Sequence, residues 1–346
     1  MRHFILFIAS VYLILFLAVL NRGSESRLNA SEKTVVRVFG YSAFTGAFGP
    51  GPKLRELFEK SCDCRLEYIQ GSDSGVLLQR LKIEGESLGA DLVIGFDQFD
   101  LQKALAAQRW QKLSFSGLDV EPEIKGLTKN DYFVPYDWGA LAMMGRKRDL
   151  TPPPTRLDDL LNPLWARQMA FEDPRTSSPG FQFLWWVLKE KGEEEGFRYL
   201  SQLMKQAHSF SSSWSTAIGL LNRQQVKMVF SYVTSPLYYE IEEKNSDMIA
   251  LEFKESLPLQ VEFLGIPENC RQCELAEKFV NMMLSPEGQK IIMEKNYMLP
   301  VLRGVKEGTP FASVSRFSNL MKFEIPSDAD LERLLKRWTD LRRGGD

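Results

Sequence analysis

Histidine is nearly absent from this sequence: its 346 residues include two, His3 and His208. His3 lies in an apolar N-terminal segment, so one histidine remains for the rest of the chain. A Ser-His-Asp triad needs histidine as its base, and many metal sites use several histidines as ligands. The composition therefore argues against hydrolase chemistry and against a histidine-rich metal centre.

An excess of basic residues is also missing. Lys and Arg number 43, Asp and Glu number 45, and the net charge is -2, with the basic residues spread along the chain. Nucleic-acid binding needs a basic patch or stripe, so we set nucleic acid aside as a partner. The length fits two globular units of roughly 150 residues each, and two units leave room for a cleft between them.

Cysteine is scarce, and its four residues fall in two close pairs, Cys62 with Cys64 and Cys270 with Cys273. An exported chain permits disulfides, and three connectivities are open. An all-thiolate zinc site built from "CDC" and "CRQC" is the alternative, but the spacing of the first pair is tight for zinc and no histidine lies near. The spacing favours disulfides.

The N-terminus, residues 1–30, is interpreted as a signal peptide or an N-terminal membrane anchor. Arg2 and His3 precede an apolar run over residues 4–20, which is the order of an export signal. The run is slightly shorter than the ~20 residues of a membrane-spanning helix, so cleavage and retention both stay open. In either case the rest of the chain is expected in the periplasm, free or tethered to the inner membrane.

Strand and helix patterns alternate along the rest of the chain. "TVVRVFGY", "CRLEYIQG" and "ADLVIGFD" have the pattern of buried strands, and helical patterns follow the first two. The alternation recurs in the middle segment, and "PLQVEFLGIP" reads as a strand that returns to the first unit. We predict an α/β fold of two lobes joined by a hinge, with lobe 1 formed by residues 31–138 and 258–346 and lobe 2 by residues 139–257.

Several glycine- and proline-containing turns follow strands and precede helices, and "PRTSSPG" is the clearest of them. A helix N-terminus offers unpaired N–H groups and the positive end of the helix dipole, which suit an anion such as phosphate. Ser177 and Ser178 would add hydroxyl donors there. Ordinary helix capping by serine is the alternative explanation for any single turn.

Aromatic residues cluster at predicted strand ends and loops, and Asp137 lies between two of them in "PYDWG". A carboxylate among aromatic rings suits a cation, because each ring adds cation-π attraction of up to ~2 kcal/mol when desolvated. A hinge or turn aspartate is the alternative. Together with the turns, these residues predict a ligand with an aromatic, cationic part and an anionic or hydroxyl tail.

Six motifs, in order and at similar spacing, resemble those of thiamine-binding periplasmic proteins, the substrate-binding components of thiamine ABC importers. The motifs are "FGPGP", "YFVPYDWG", "FEDPRTSSPG", "SSSWSTAIG", "SYVTSPLYYEIEEK" and "PLQVEF", and the resemblance runs from about Val35 to Trp338. It implies a type II periplasmic binding fold that closes over thiamine, thiamine monophosphate or thiamine diphosphate. It also implies a monomer that delivers this ligand to an ABC transporter permease, with no cofactor, no metal and no enzymatic activity.

The resemblance also implies a ligand site. Trp214, Tyr232, Tyr238 and Asp137 correspond to the residues that hold the cation. Ser177, Ser178 and Gly180, with Asp73, Ser74 and Gly75, correspond to the loops at the phosphate end. Ser42 and Phe48 complete the predicted site, although relatives carry an Asp-Ser pair and a Trp in this region, so a thiamine precursor or related heterocycle stays open as the ligand.

Two other functions are open. Ferric-binding members of the same superfamily use adjacent tyrosines that resemble Tyr238 and Tyr239, although no histidine is available to complete such a site. Thiaminase I looks similar in fold and uses a cleft cysteine as nucleophile, but no cysteine lies near "PYDWG" or the other cleft segments. If Ser235 caps a helix with Pro236 in its first position, the two tyrosines lie about 100° apart around the axis, so one of them can face the cleft while the other turns aside. The resemblance implies that Tyr238 is the ring that faces the cleft.

Overall fold

The computed structural model describes residues 33–113, 117–127, 131–314, 319–322 and 324–344. The predicted export segment therefore lies outside the described residues. Within those residues, no helix combines the length and the apolar character needed to cross a bilayer.

The first part of the chain follows the predicted alternation of strands and helices. Its strands are β1 (Thr34–Tyr41), β2 (Cys64–Gly71), β3 (Leu92–Asp97) and β4 (Val134–Arg146). Its helices are α1 (Ser42–Thr45), α2 (Gly51–Ser61), α3 (Ser74–Glu84) and α4 (Leu101–Ala107). All residues of β3 and β4 are buried, as expected for strands that are covered on both faces.

The second part of the chain repeats this arrangement with shorter strands. Its strands are β5 (Met169–Glu172), β6 (Ser209–Ser211), β7 (Met228–Tyr232), β8 (Met248–Ala250), β9 (Leu259–Gly265) and β10 (Leu299–Pro300). Its helices are α5 (Ser178–Lys191), α6 (Glu193–Gln206), α7 (Trp214–Asn222), α8 (Ser235–Ile241), α9 (Cys273–Met283), α10 (Pro286–Asn296), α11 (Pro310–Val314) and α12 (Asp328–Arg342). Short 3-10 turns occupy Gly85–Leu88, Pro122–Leu127, Lys147–Asp149, Leu157–Leu161 and Pro163–Trp165.

One long strand, β4, belongs to both lobes. The strands follow the order β2-β1-β3-β9-β4-β7-β5-β6, with β8 and β10 also paired to β4. The first half of β4 pairs antiparallel with β9 through Ala140, and the second half pairs with β7 from Leu141 onward. The change of partner lies close to the predicted boundary between residues 138 and 139, and the chain returns to the first lobe at β9.

Each lobe has its own buried core. The first core includes Val38 on β1, Leu77 on α3 and Phe279 on α9. The second includes Phe171 on β5 and Trp186 on α5. Two separate cores leave the surfaces between them free to form a cleft, and residues at the carboxyl ends of β1, β2 and β7 line it.

The C-terminal helix α12 differs from the predicted boundary, which places residues 258–346 in lobe 1. Trp338 on α12 is buried against Phe210 of β6, with ring centroids 4.9 Å apart. Arg337 pairs with Glu194 on α6, with Nη1 2.6 Å from the carboxylate oxygen. The helix therefore packs on lobe 2, because its apolar face is complementary to that core. The division of the rest of the chain stays a prediction.

The four cysteines form two local disulfides, Cys62–Cys64 and Cys270–Cys273. The structure thus selects one of the three open connectivities. With every cysteine bonded to its neighbour, no thiolate is left to bind zinc.

Candidate functional site

A cavity of about 780 Å³ lies between the two lobes. Lobe 1 contributes Tyr41, Glu262 and Asn296 to its lining, and lobe 2 contributes Trp214 and Tyr238. Ligand pockets of this size commonly hold small organic molecules and often form between domains. The position agrees with the expectation that the cleft carries the site.

One side of the cavity is an aromatic wall, which we define as Trp214, Tyr232, Tyr238 and Tyr297. The rings of Trp214 and Tyr232 lie 6.5 Å apart, and the Trp214 Nε1 donates to Ser231 Oγ at 2.9 Å. The hydrogen bond fixes the indole because Ser231 lies at the end of the buried strand β7. Burial raises the pKa of Tyr232 well above its ordinary value, so this phenol stays neutral.

The two adjacent tyrosines of α8 have different environments. Tyr238 is 38% exposed and lines the cavity, with its ring 5.4 Å from that of Tyr297. Tyr239 also touches the cavity but is buried, and its Oη donates to Asn222 Oδ1 at 2.7 Å. The helix begins at Ser235, one residue earlier than expected, so Pro236 takes its second position. One ring is thus available for a ligand face, while the other phenol is engaged within lobe 2.

A second part of the cavity lining is an acidic floor centred on Glu262. Its Oε2 accepts hydrogen bonds from Tyr41 Oη at 2.5 Å and Tyr136 Oη at 2.6 Å, and its Oε1 accepts from Gln260 Nε2 at 3.1 Å. Burial raises the pKa of Glu262, while the tyrosine hydroxyls act in the opposite direction. Burial and the charge of Glu262 also raise the pKa values of Tyr41 and Tyr136 well above ordinary values.

Irregular strand pairing brings these groups together. On β4 the register shifts between Pro135 and Asp137, so Tyr136 and Asp137 both lie opposite Glu262. On the other neighbour, β3, the register shifts at Gly95, whose φ is +109°. A Cβ on Gly95 would lie 2.3 Å from the Tyr41 ring, so glycine allows that ring to reach Glu262. Bulges commonly redirect side chains at functional sites.

Asp137 does not lie on the cavity surface, where the sequence analysis predicts it. It is fully buried and does not line the cavity, and its Oδ2 accepts a hydrogen bond from Asn296 Nδ2 at 2.7 Å. Burial and the charge of Glu262 raise the pKa of Asp137 well above its usual range. Glu262, which extends from the paired strand, faces the cavity instead. The carboxylate available to a ligand is thus that of Glu262, with Asp137 behind it.

A helix junction, which we define as Asp73, Ser74, Ser178 and the backbone N–H of Trp214, closes one end of the cavity. The carboxylate of Asp73 accepts from Ser74 N at 2.9 Å and, across the cleft, from Trp214 N at 3.2 Å. The hydroxyls of Ser74 and Ser178 lie 2.6 Å apart, one from each lobe. Burial raises the pKa of Asp73. Three helices, α3, α5 and α7, thus begin around this point.

Ser177, Gly75 and Gly180 do not line the cavity. Ser177 and Gly75 border a neighbouring cavity of about 170 Å³. A Cβ on Gly75 would lie 2.8 Å from the Thr176 backbone, so this glycine lets the lobes approach closely. A Cβ on Gly180 would lie 2.7 Å from the backbone oxygen of Glu172, so Gly180 serves the packing of α5 on β5.

Ser42 and Phe48 lie along the rim of the cavity. Ser42 Oγ donates to the Ser72 carbonyl at 2.7 Å, which ties the loop after β1 to the helix junction. Phe48 is 93% exposed, so its ring is available to a molecule that enters the cleft.

Sequence reasoning missed Glu262, Asn296 and Tyr297 as cavity residues. Tyr297 ends α10 with φ +54°, a backbone conformation that is uncommon for an aromatic residue. Its Oη donates to Glu242 Oε1 at 3.1 Å, so it links α10 to α8 across the cleft. The sequence "KNYMLP" contains one feature that could have indicated Tyr297 as a cavity residue, namely an aromatic residue between a helix and a short strand.

The cavity lining contains no cysteine, which removes the nucleophile that the thiaminase-like alternative requires. Within the described ranges, no group of three or more His, Cys, Asp or Glu side chains is arranged to hold a metal ion. The arrangement offers aromatic faces, a buried carboxylate and helix N-termini, which suit binding by stacking and charge.

Two α/β lobes around a hinged cleft, joined by shared strands, define the class of type II periplasmic binding proteins. The model of the bacterial extracellular solute-binding protein family matches residues 89–331. The thiamine-binding periplasmic protein of Brucella melitensis is 35% identical over 78% of this chain and 80% of its own length. The chain therefore belongs to the bacterial extracellular solute-binding proteins and, among them, to the thiamine-binding periplasmic proteins.

Solved structures agree with this assignment. A periplasmic thiamin binding protein superposes with a TM-score of 0.81 at 31% identity, over 90% of this chain and 98% of its own. Iron-bound HitA from Pseudomonas aeruginosa superposes with a TM-score of 0.72 at 22% identity, over 89% of this chain and 99% of its own, and shares the fold alone. The predicted fold and the predicted family are confirmed.

Proposed function

We propose that this protein captures thiamine or its phosphate esters in the periplasm and delivers them to the permease of an ABC importer. The names of its relatives support this ligand, and their periplasmic location supports the compartment. An export signal or anchor in residues 1–30 would place the chain there. The protein acts as a monomer and performs no reaction on its ligand.

The observation that carries the proposal is a pair of buried carboxyl groups without a counter-charge. Glu262 faces the cavity and Asp137 lies behind it, and within the described residues neither carboxyl group forms a salt bridge, since Lys53 and Lys295 on the cavity lining pair with Glu56 and Glu242. Buried charges in proteins are normally paired, because an isolated charge loses its hydration without compensation. A cationic ligand would supply the missing positive charge from the cavity side.

The aromatic wall complements the acidic floor. Tyr238 and Trp214 line the same cavity as Glu262, and a thiazolium or aminopyrimidine ring bound against them would gain stacking and cation-π attraction. The helix junction receives the other end of the ligand, where Ser74 and Ser178 offer hydroxyl groups. This end fits a hydroxyethyl group, or a phosphate beside the neutral form of Asp73, whose pKa is raised by burial.

The ferric alternative is less well supported, because a pair of phenolate ligands would need both tyrosines. The Tyr239 hydroxyl is engaged by Asn222, and burial raises its pKa to about 12, which opposes the phenolate form. An iron site would have to break this hydrogen bond and ionise a buried phenol.

The test is identification of the bound ligand. Protein purified from its periplasm is denatured, and the released small molecules are analysed by mass spectrometry, with the iron content of the same sample measured in parallel. We expect thiamine or a thiamine phosphate at close to one per chain and no stoichiometric iron. Stoichiometric iron without thiamine would replace the proposal with the ferric one.

Calorimetric titration of ligand-free protein completes the test. Thiamine should bind with the heat of a single site, and ferric citrate should produce no binding heat. The neutral sugar maltose is the matched control for non-specific heat of dilution.

A further inference from the structure

The two carboxyl groups of the acidic floor are held at close range by the sheet itself. Asp137 on β4 and Glu262 on β9 are partners in the antiparallel pairing, next to the bulge, so their side chains are cross-strand neighbours. Asp137 is 0% exposed and Glu262 is 7% exposed. Two ionised carboxylates at such close range, away from water, repel strongly, so such pairs commonly hold one proton between them.

The hydrogen bonds distinguish the two groups. Glu262 accepts from Tyr41, Tyr136 and Gln260, and three donors stabilise an ionised carboxylate. Asp137 accepts one hydrogen bond, from Asn296 through Oδ2, and its contact with Glu262 raises the pKa of Asp137 and lowers that of Glu262. The proton of the pair therefore resides on Asp137 in the ligand-free protein.

We propose that a cationic ligand expels this proton, so that binding at the acidic floor is coupled to the release of one proton to solvent. The inference rests on the proposed function, since it requires a cation in the cavity. The charges balance: the ligand-free pair carries one negative charge and one proton, and the bound pair carries two negative charges beside one positive ligand. The net charge of the site is the same before and after.

The lysines on the cavity lining, Lys53 and Lys295, pair with Glu56 and Glu242, so the groups considered next are those that face the carboxyl pair from neighbouring elements. They are Tyr41 from β1, Asp97 from β3, Tyr136 from β4, Tyr232 from β7 and Asp73 at the start of α3. All are tyrosines or acids. Burial raises the pKa values of the three tyrosines well above the ordinary range, so they do not exchange protons near neutral pH.

The test is calorimetric titration with thiamine at pH 6.5 in buffers of different ionisation enthalpy, such as phosphate, imidazole and bis-Tris. The dependence of the binding heat on the buffer gives the number of protons exchanged. We expect a release that approaches one proton per ligand. The dissociation constant should fall by up to about tenfold per pH unit in the range where the pair loses its proton on binding. An equal heat in all three buffers would overturn the inference, although the binding itself would still support the proposed function.

Two variants locate the proton. Asp137→Asn keeps an acceptor for Asn296 but removes the ionisable partner of Glu262, so release should fall to near zero and affinity should lose its pH dependence. Glu56→Gln is the matched control, because Glu56 is an exposed carboxylate on α2, outside the cavity lining, whose pKa Lys60 holds low. It should release the same number of protons as wild type, and unchanged release in Asp137→Asn would refute the assignment.

A ligand variant tests the same idea without altering the protein. A thiamine analogue with an uncharged thiophene ring in place of the thiazolium should bind more weakly and release no proton. Release equal to that of thiamine would contradict the role of the ligand charge. If thiamine itself gave no binding heat, the proposed function would fail, and the inference would fail with it.

Discussion

Tyr238 and Tyr239 are neighbours in sequence, and their substitutions should have opposite consequences. Tyr238 is 38% exposed beside the cavity, and its phenol ring is supported from behind by Tyr239 and Tyr297 at 5.3 and 5.4 Å. Tyr238→Ala removes one ring face from the aromatic wall. A desolvated cation-π contact contributes about 2 kcal/mol, which corresponds to an increase in Kd of about 30-fold.

Tyr239→Phe is the matched control, because it changes a phenol on the same helix and keeps the ring. It removes the hydrogen bond to Asn222, at about 1 kcal/mol, and so lowers Tm by roughly 2–4 °C. The phenol hydroxyl of Tyr239 points to Asn222, so the thiamine Kd should stay within about twofold of wild type.

Calorimetric titration with thiamine measures both affinities, and circular dichroism confirms that each variant is folded. An unchanged Kd in Tyr238→Ala would refute the stacking role of this ring. If Tyr239→Phe abolished ligand binding and wild-type protein carried iron, the paired-phenolate alternative would be correct.

Three further predictions follow from the packing around the site. Gly95→Ala should destabilise the fold by about 2–4 kcal/mol in urea unfolding and weaken thiamine binding, because its Cβ would lie 2.3 Å from the Tyr41 ring at φ +109°; unchanged stability would contradict this packing. Asp137→Asn should stabilise the ligand-free protein relative to wild type. Because the folded-state pKa of Asp137 is raised, the free-energy cost of burying this carboxyl group is absent below pH ~4 and grows as the pH rises. A Tm difference between variant and wild type that shrinks from pH 4 to pH 8 would contradict this prediction. Trp338→Ala should lose about 3–5 kcal/mol in urea unfolding, since this residue of α12 is 1% exposed, whereas a loss below 1 kcal/mol would show that α12 contributes little to lobe 2.

Local patterns in the sequence determined the elements and the class. "TVVRVFGY" and "CRLEYIQG" became β1 and β2 with the expected bounds, because consecutive apolar and β-branched residues need burial on a sheet. The turns before α3 and α5 came at the expected positions, because serine and proline favour helix starts whatever the surroundings. The order of these elements was enough to predict an α/β fold with a cleft.

Only the tertiary structure decided which carboxylate side chain lines the cavity. Asp137 was conspicuous in sequence because aromatic residues flank it, whereas Glu262 looked like an ordinary residue of "PLQVEF". Their roles depend on which strand residues lie opposite one another and on the bulges beside them. Register between strands far apart in the chain is set by the packing of both sheet faces, which no local window contains.

The positions of Tyr297 and of α12 also depend on packing between segments that are far apart in the chain. Tyr297 reaches the cavity only because α10 ends in a left-handed residue beside α8 of the other lobe. The helix α12 is amphipathic, and lobe 2 covers its apolar face. Helical periodicity determines that a face must be buried, and only the assembled cores determine where, because burial is a property of surfaces that form together.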